Sequence, residues 1–257
     1  MKNIYKTIII NREVNRKMLA VLLDPDKCRG SILASTIAVL KSHTPDFVFV
    51  GGSHMLTSVD SLIELLEDEL DSKIVLFPGN AAQFSAKADA LLYLSLLSGR
   101  NAEFLIGQHI TSAIAIKNSG MEVIPTGYLL IDGGKPSSVE YISNTRTIPR
   151  DKNEIALSTA VAAELLGMRL VYLEAGSGAD VPVPVEMINY VSRGLSLPLV
   201  VGGGIKTTEQ MVAAYDAGAD IVVVGNVFET NSALISDFVS CSKNYTTNQY
   251  PEFLSFE

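Results

Sequence analysis

PLVVGGGI (198–205) and DIVVVGN (220–226), with the stretch TTEQMVAAYDAG (207–218) between them, decide the architecture. Both outer segments begin as short β-branched apolar runs without polar alternation. Runs of that kind suit parallel strands covered on both faces. Both break into glycine, and the second opens a helix at Asn226. The middle stretch carries apolar residues at three- and four-residue spacing, the helical period. Thr207 and Thr208, ahead of Glu209 and Gln210, predict its N-terminal cap, and Gly218 its end. The segment therefore reads as strand, loop, helix, strand.

The same unit extends outward through the chain. MLAVLL (18–23), DFVFV (46–50), KIVLF (73–77), ALLYL (90–94), EVIPTGYLL (122–130) and RLVYL (169–173) bring the strands to eight. Helical patterns lie between them: residues 31–42, 58–70, 102–119, 154–167, 184–195 and, after the last strand, 226–240. Gly167 closes one of them as a C-terminal cap. The gap PGNAAQFSAKAD (78–89) is too short for a full helix with its loops, which predicts a truncated third helical element. An α/β fold follows, a single (β/α)8 TIM barrel over residues 1–257, with an open doubly wound sheet as the alternative. One connection is unusual. IDGGKPSSVEYISNTRTIPRDKN (131–153), after strand five, is long and polar, and it reads as a lid or a surface insertion.

Composition agrees with one well-buried domain. The 257 residues are 47% apolar and 19% charged, which argues against long disordered stretches. A net charge of −8 disfavours nucleic acid as a partner, because phosphates are repelled in bulk. Two isolated thiols, Cys28 and Cys241, make neither a disulfide framework nor a zinc set, so a reducing cytoplasm is expected. MKNIYKTIIINREVNRK (1–17) has only a three-residue apolar run and does not read as a signal peptide. No apolar run approaches the ~18 residues of a membrane helix.

In barrel enzymes the chemistry gathers at the carboxyl ends of the strands. Those ends read LDPDK (23–27), GGSH (51–54), PGN (78–80), SLLSGRN (95–101), EAGSG (174–178), GGGI (202–205) and GN (225–226). The last three are the strongest signal. Glycine lets backbone N–H groups approach a phosphate closely, and loops after strands seven and eight are common phosphate sites in barrels. Gly203, Gly204, Gly225 and Asn226 fit that role, and Gly176, Ser177 and Gly178 add a third loop. The bland alternative is that these glycines only make tight turns. No dinucleotide fingerprint or Walker loop occurs.

Asp24 and Asp26, with Lys27 beside them, place two carboxylates at the mouth of strand one. Carboxylate oxygens suit Mg2+, but an Asp–Pro turn capping a helix reads equally well. Ser53 could supply a hydroxyl ligand or cap the next helix. Glu174 ends a buried strand beside the glycine loop, a general-base position, unless it serves a buried ion pair. Arg100 could face a second phosphate group or simply solvent. His43, His54 and His109 show no metal-triad spacing. Tyr93, Tyr128 and Tyr172 read as barrel-wall packing, Tyr172 near enough to the glycine loop to donate its hydroxyl.

LLDPDK, FVFVGGS, VLFPGN, YLEAGSG, LVVGGGI and VVVGN, in that order, resemble the geranylgeranylglyceryl phosphate synthase family, which includes heptaprenylglyceryl phosphate synthases. The long loop after strand five and the AGSG tetrad are similar to the second group of these synthases. The resemblance covers residues 18 to 230. It implies a Mg2+-dependent prenyltransferase of lipid biosynthesis that forms an ether bond between sn-glycerol 1-phosphate and geranylgeranyl diphosphate, giving geranylgeranylglyceryl phosphate and diphosphate. Carried onto this chain, Asp24 and Ser53 would hold Mg2+. Tyr172, Leu173, Glu174, Ala175, Gly176, Ser177 and Gly178, then Gly203, Gly204, Gly225 and Asn226, would hold glycerol phosphate, with Glu174 catalytic. The resemblance also suggests a homo-oligomer, dimer or hexamer, and at most peripheral membrane contact. An apolar prenyl groove is expected beside strands four and five, with Ala90 as a test position. Without the resemblance, a sugar-phosphate isomerase pairing Glu174 with Asp24, or a phospholigand-binding barrel without turnover, would share the phosphate loops. A Schiff-base aldolase is disfavoured, since no strand core contains an internal lysine.

Overall fold

The computed structural model describes residues 3–246. Eight strands, β1 (Met18–Leu23), β2 (Phe47–Val50), β3 (Ile74–Leu76), β4 (Ala90–Leu96), β5 (Glu122–Leu130), β6 (Leu170–Glu174), β7 (Leu199–Gly202) and β8 (Ile221–Val224), pair in parallel and close into a barrel in sequence order. Closure comes from β1 against β8, with Met18 opposite Ile221 and Val21 opposite Val224. The open-sheet alternative is thereby set aside.

The helices are α1 (Ile4–Glu13), α2 (Gly30–Ser42), α3 (Asp60–Glu69), α4 (Gln108–Ser119), α5 (Ser138–Ser143), α6 (Asn153–Leu165), α7 (Val185–Arg193), α8 (Thr208–Asp216), α9 (Asn226–Thr230) and α10 (Leu234–Asn244). The third helical element is indeed truncated, to one 3-10 turn over Ala81–Gln83. A π-helical stretch, Glu103–Gly107, leads into α4. The α8 cap is the expected one. Thr207 accepts the Gln210 N–H, and the Gln210 side chain accepts from the Thr207 backbone.

Each strand divides its side chains between two cores. Met18, Ala20, Phe47, Phe49, Ala90, Leu92, Tyr128, Tyr172 and Val200 fill the barrel interior. Leu19, Val21, Val48, Val50, Leu91, Leu173 and Val201 pack outward under the helices. This two-sided burial is why the strands lack polar alternation. Helix α1, which the sequence pattern does not single out, closes the amino-terminal end. Ile4 and Ile8 join the interior cluster, and each stabilises the fold by about 2 kcal/mol. Glu122 at the start of β5 accepts the Ile4 and Tyr5 N–H groups at 2.6 and 2.9 Å, anchoring the plug. The other end of the barrel is left for chemistry.

Candidate active site

At the carboxyl ends of the strands lies a cleft of about 410 Å3. It is lined by Asp24, Ser53, Tyr172, Glu174, Ser177, Gly178, Gly203, Gly204, Gly225 and Asn226, with Lys27, Lys206 and Glu229 at its edge. Leu173 and Ala175 turn their side chains outward into the helix-facing core, so only their backbone can face a ligand.

Strand parity aims Glu174 inward, two residues beyond the interior Tyr172. Its side chain is buried, at 5% exposure. Burial pushes its carboxyl up from 4.5 to about 7, while the Tyr172 hydroxyl and the Gly176 N–H pull it back. The Gly176 N–H donates to Glu174 Oε1 at 2.8 Å. The Tyr172 hydroxyl stands near the same carboxylate, and the attraction is electrostatic. It falls short of hydrogen-bond geometry and is left unpaired. Beneath it, Phe77 stacks on Tyr172 at 5.3 Å and Tyr128 meets Tyr172 edge-on at 5.4 Å, an apolar floor that keeps the carboxyl dry.

The glycines are needed for close approach. A β-carbon at Gly202 would stand 2.3 Å from the Tyr172 hydroxyl oxygen. One at Gly203, where φ is +80°, would stand 2.3 Å from Glu174 Oε1. Asn226 ties two of the loops together. Its Oδ1 accepts from the Ser177 hydroxyl at 3.1 Å and the Gly178 N–H at 2.9 Å. Three loops thus converge on one small region, rich in backbone N–H groups, beside Glu174.

The two carboxylates after β1 separate. Asp26 accepts from the Leu56 and Thr57 N–H groups and pairs with Arg29, so it braces the loop after β2. Asp24 faces the cleft. Its Oδ1 accepts the Asp26 N–H at 2.9 Å, and its Oδ2 lies 3.7 Å from Lys27 Nζ. The Ser53 loop is held by Gln83 in the 3-10 turn, which donates to the Gly52 carbonyl at 3.0 Å and accepts from the Gly79 N–H at 2.7 Å. No sequence pattern flagged Gln83. The oxygen donors at this corner fit a hard cation such as Mg2+ that shares one carboxylate with substrate oxygens and water. Among the described residues no group of three His, Cys, Asp or Glu gathers.

Beside the cleft runs an apolar channel of about 110 Å3, sharing Gly52, Ser53, Phe77, Tyr128 and Val139 with it. Leu91, Tyr93, Phe84, Phe104, Ser112 and Ile116 form its walls. It passes where a full third helix would otherwise lie. Ala90 is not among its walls: it opens β4, opposite Val75 and Glu122, while Leu91, Leu92, Tyr93, Leu94 and Leu96 further along the strand line the channel. Ala90 is therefore the wrong position for filling the groove. His109 also lines the channel, buried, with Nδ1 unpaired and its pKa lowered by burial. Arg100 is exposed and donates to the Leu97 and Gly99 carbonyls of its own loop. Its alternative role against a second phosphate finds no support. The 131–153 segment contains α5, and Val139 lines both cavities, so this loop roofs the site.

A PcrB family profile matches residues 11–242. A geranylgeranylglyceryl phosphate synthase of Chitinophaga pinensis is 48% identical over 235 residues, covering 91% of this chain and 93% of that protein. The synthase of Thermococcus kodakarensis is 41% identical, covering 87% and 89%. Among solved structures, (S)-3-O-geranylgeranylglyceryl phosphate synthase from Thermoplasma acidophilum, in complex with its substrate sn-glycerol-1-phosphate, superposes with a TM-score of 0.86. It is 32% identical, and the match covers 95% of this chain and all of that one.

Proposed function

The chain belongs to the PcrB family, and we propose that this prenyltransferase joins sn-glycerol 1-phosphate to geranylgeranyl diphosphate in a Mg2+-dependent ether-forming reaction. The observation that carries the proposal is the adjacency of two unlike cavities. One is polar and ringed by three glycine loops, and the other is an apolar channel opening into it. A phosphorylated alcohol suits the first and a prenyl tail the second.

The arrangement supports the following course of reaction. Loops 176–178, 203–204 and 225–226 hold the glycerol phosphate. The free primary hydroxyl then points at Glu174. That oxygen forms a bond to the first carbon of the prenyl diphosphate, the bond to diphosphate breaks, and the hydroxyl proton passes to the Glu174 carboxylate. A base whose pKa is near 7 is well matched to neutral conditions. Mg2+, held by Asp24 and Ser53, would neutralise the charge that develops on the departing diphosphate. The Phe77–Tyr128–Tyr172 floor excludes water, which would otherwise compete for the prenyl carbon. Holding both partners side by side removes much of the entropic barrier.

The test is transfer of label. Purified protein with radiolabelled sn-glycerol 1-phosphate, geranylgeranyl diphosphate and Mg2+ should move label into the organic phase, and EDTA should stop it. Binding of glycerol phosphate without transfer, across a range of prenyl lengths, would sink the proposal.

A further inference from the structure

Lys27 stands between two carboxylates at the mouth of the cleft. Its Nζ lies 3.3 Å from Glu229 Oε1 and 3.7 Å from Asp24 Oδ2. Asp24 has already committed its other oxygen, Oδ1, to the Asp26 N–H. The ammonium therefore sits against the Asp24 oxygen left for a cation. Glu229 is fixed in turn, because the Asn226 Nδ2 donates to its Oε2 at 3.2 Å. Asn226 is itself held by Ser177 and Gly178. One polar chain thus runs from the glycine loop after β6, through α9, to Asp24.

We infer that Lys27 is a tethered counter-ion for Asp24, displaced onto Glu229 when a divalent cation arrives, and that Glu229 is the positioning residue that receives it. This rests on Asp24 being the metal ligand. The physical reasoning is electrostatic. An ammonium and a divalent cation cannot both stay within about 4 Å of one carboxylate without strong repulsion. Without a second acceptor the displaced ammonium would lose its only carboxylate partner. Here a second acceptor is already in place, nearer than the first, so the ammonium shifts only by rotation about its own stem. The ammonium offsets one of the two carboxylate charges, and a cation that binds at Asp24 must outcompete it. Metal affinity is then set by Lys27 and Glu229, neither of which needs to touch the metal.

Opposite signs make this testable on the intact chain. Mn2+ binding, read from the free-ion electron paramagnetic resonance signal, needs no turnover. Lys27→Met should bind Mn2+ about fivefold tighter or more, because the competing charge is gone. Lys27→Arg should stay near wild type. Glu229→Gln should bind more weakly, because Lys27 loses its second acceptor and stays on Asp24. In the double variant the Glu229→Gln effect should shrink to the direct attraction of the lost carboxylate for the cation. If it is undiminished there, or if Lys27→Met weakens binding or leaves it unchanged, the inference is overturned. Asp24→Asn separates the two readings. If that variant binds Mn2+ as wild type does, the metal assignment itself is wrong and the inference falls with it.

Discussion

A β-carbon on Gly203 would stand 2.3 Å from Glu174 Oε1, so the loop after β7 and the carboxylate at the end of β6 share one space that only glycine leaves open. The same oxygen accepts the Gly176 N–H. The loop after β7 and the Glu174 carboxylate are therefore a single construction. Gly203→Ala should displace Glu174 as well as strain a backbone at φ +80°, the strain alone costing about 1–2 kcal/mol. The expected outcome is a folded protein with turnover reduced at least tenfold and weaker glycerol phosphate binding, seen by melting and calorimetry on the same sample.

The pH dependence follows from burial of Glu174. With its carboxyl near 7, the base is protonated and inactive in acid, so kcat/KM should rise tenfold per pH unit below 7 and level off above it. The Tyr172 hydroxyl holds that value down. Tyr172→Phe should move the acid limb to higher pH. An unmoved limb in this variant would show that a different group titrates.

Stability should respond in the opposite sense. The carboxyl titrates higher in the folded chain than its ordinary 4.5. Its protonated form therefore favours folding fully below pH 4.5, and that contribution is lost as pH rises to 7. The full swing is about 3 kcal/mol. Glu174→Gln removes the buried charge, so at pH 8 it should melt higher than wild type while transferring the prenyl group far more slowly. Melting curves of both proteins at pH 5 and pH 8 check this.

The channel predicts a chain-length effect. Ser112→Phe places a ring among Leu91, Phe84 and Ile116. Preference should shift toward shorter prenyl diphosphates, with glycerol phosphate affinity unchanged. Ala90→Phe, by contrast, overfills the barrel interior. It should cost about 1–3 kcal/mol of stability.

Strand order and the glycine loops were legible because each depends on local chemistry: continuous apolar runs for doubly buried strands, and glycine where backbone must come close. Depth along a strand was not legible. A run such as ALLYL is apolar throughout, so nothing in it tells that Ala90 is sealed in the barrel interior while Leu91, Leu92, Tyr93 and Leu94 line the channel. The division between Asp24 and Asp26 was hidden too, because Asp26 finds its partners thirty residues away at Leu56 and Thr57. The same holds for Gln83 and Glu229, whose roles arise from contacts across loops. The α1 plug escaped notice because Ile4 and Ile8 form too short an apolar stripe to stand out from a polar neighbourhood.

The most direct measurement compares wild type and Glu174→Gln after calorimetry has established that both bind sn-glycerol 1-phosphate. With geranylgeranyl diphosphate and Mg2+, wild type should form geranylgeranylglyceryl phosphate, and the variant should be slower by a factor on the order of 100 or more. A variant that binds the phosphate and forms product at the wild-type rate would contradict the account, because the carboxylate at the centre of the site would then have no part in the transfer.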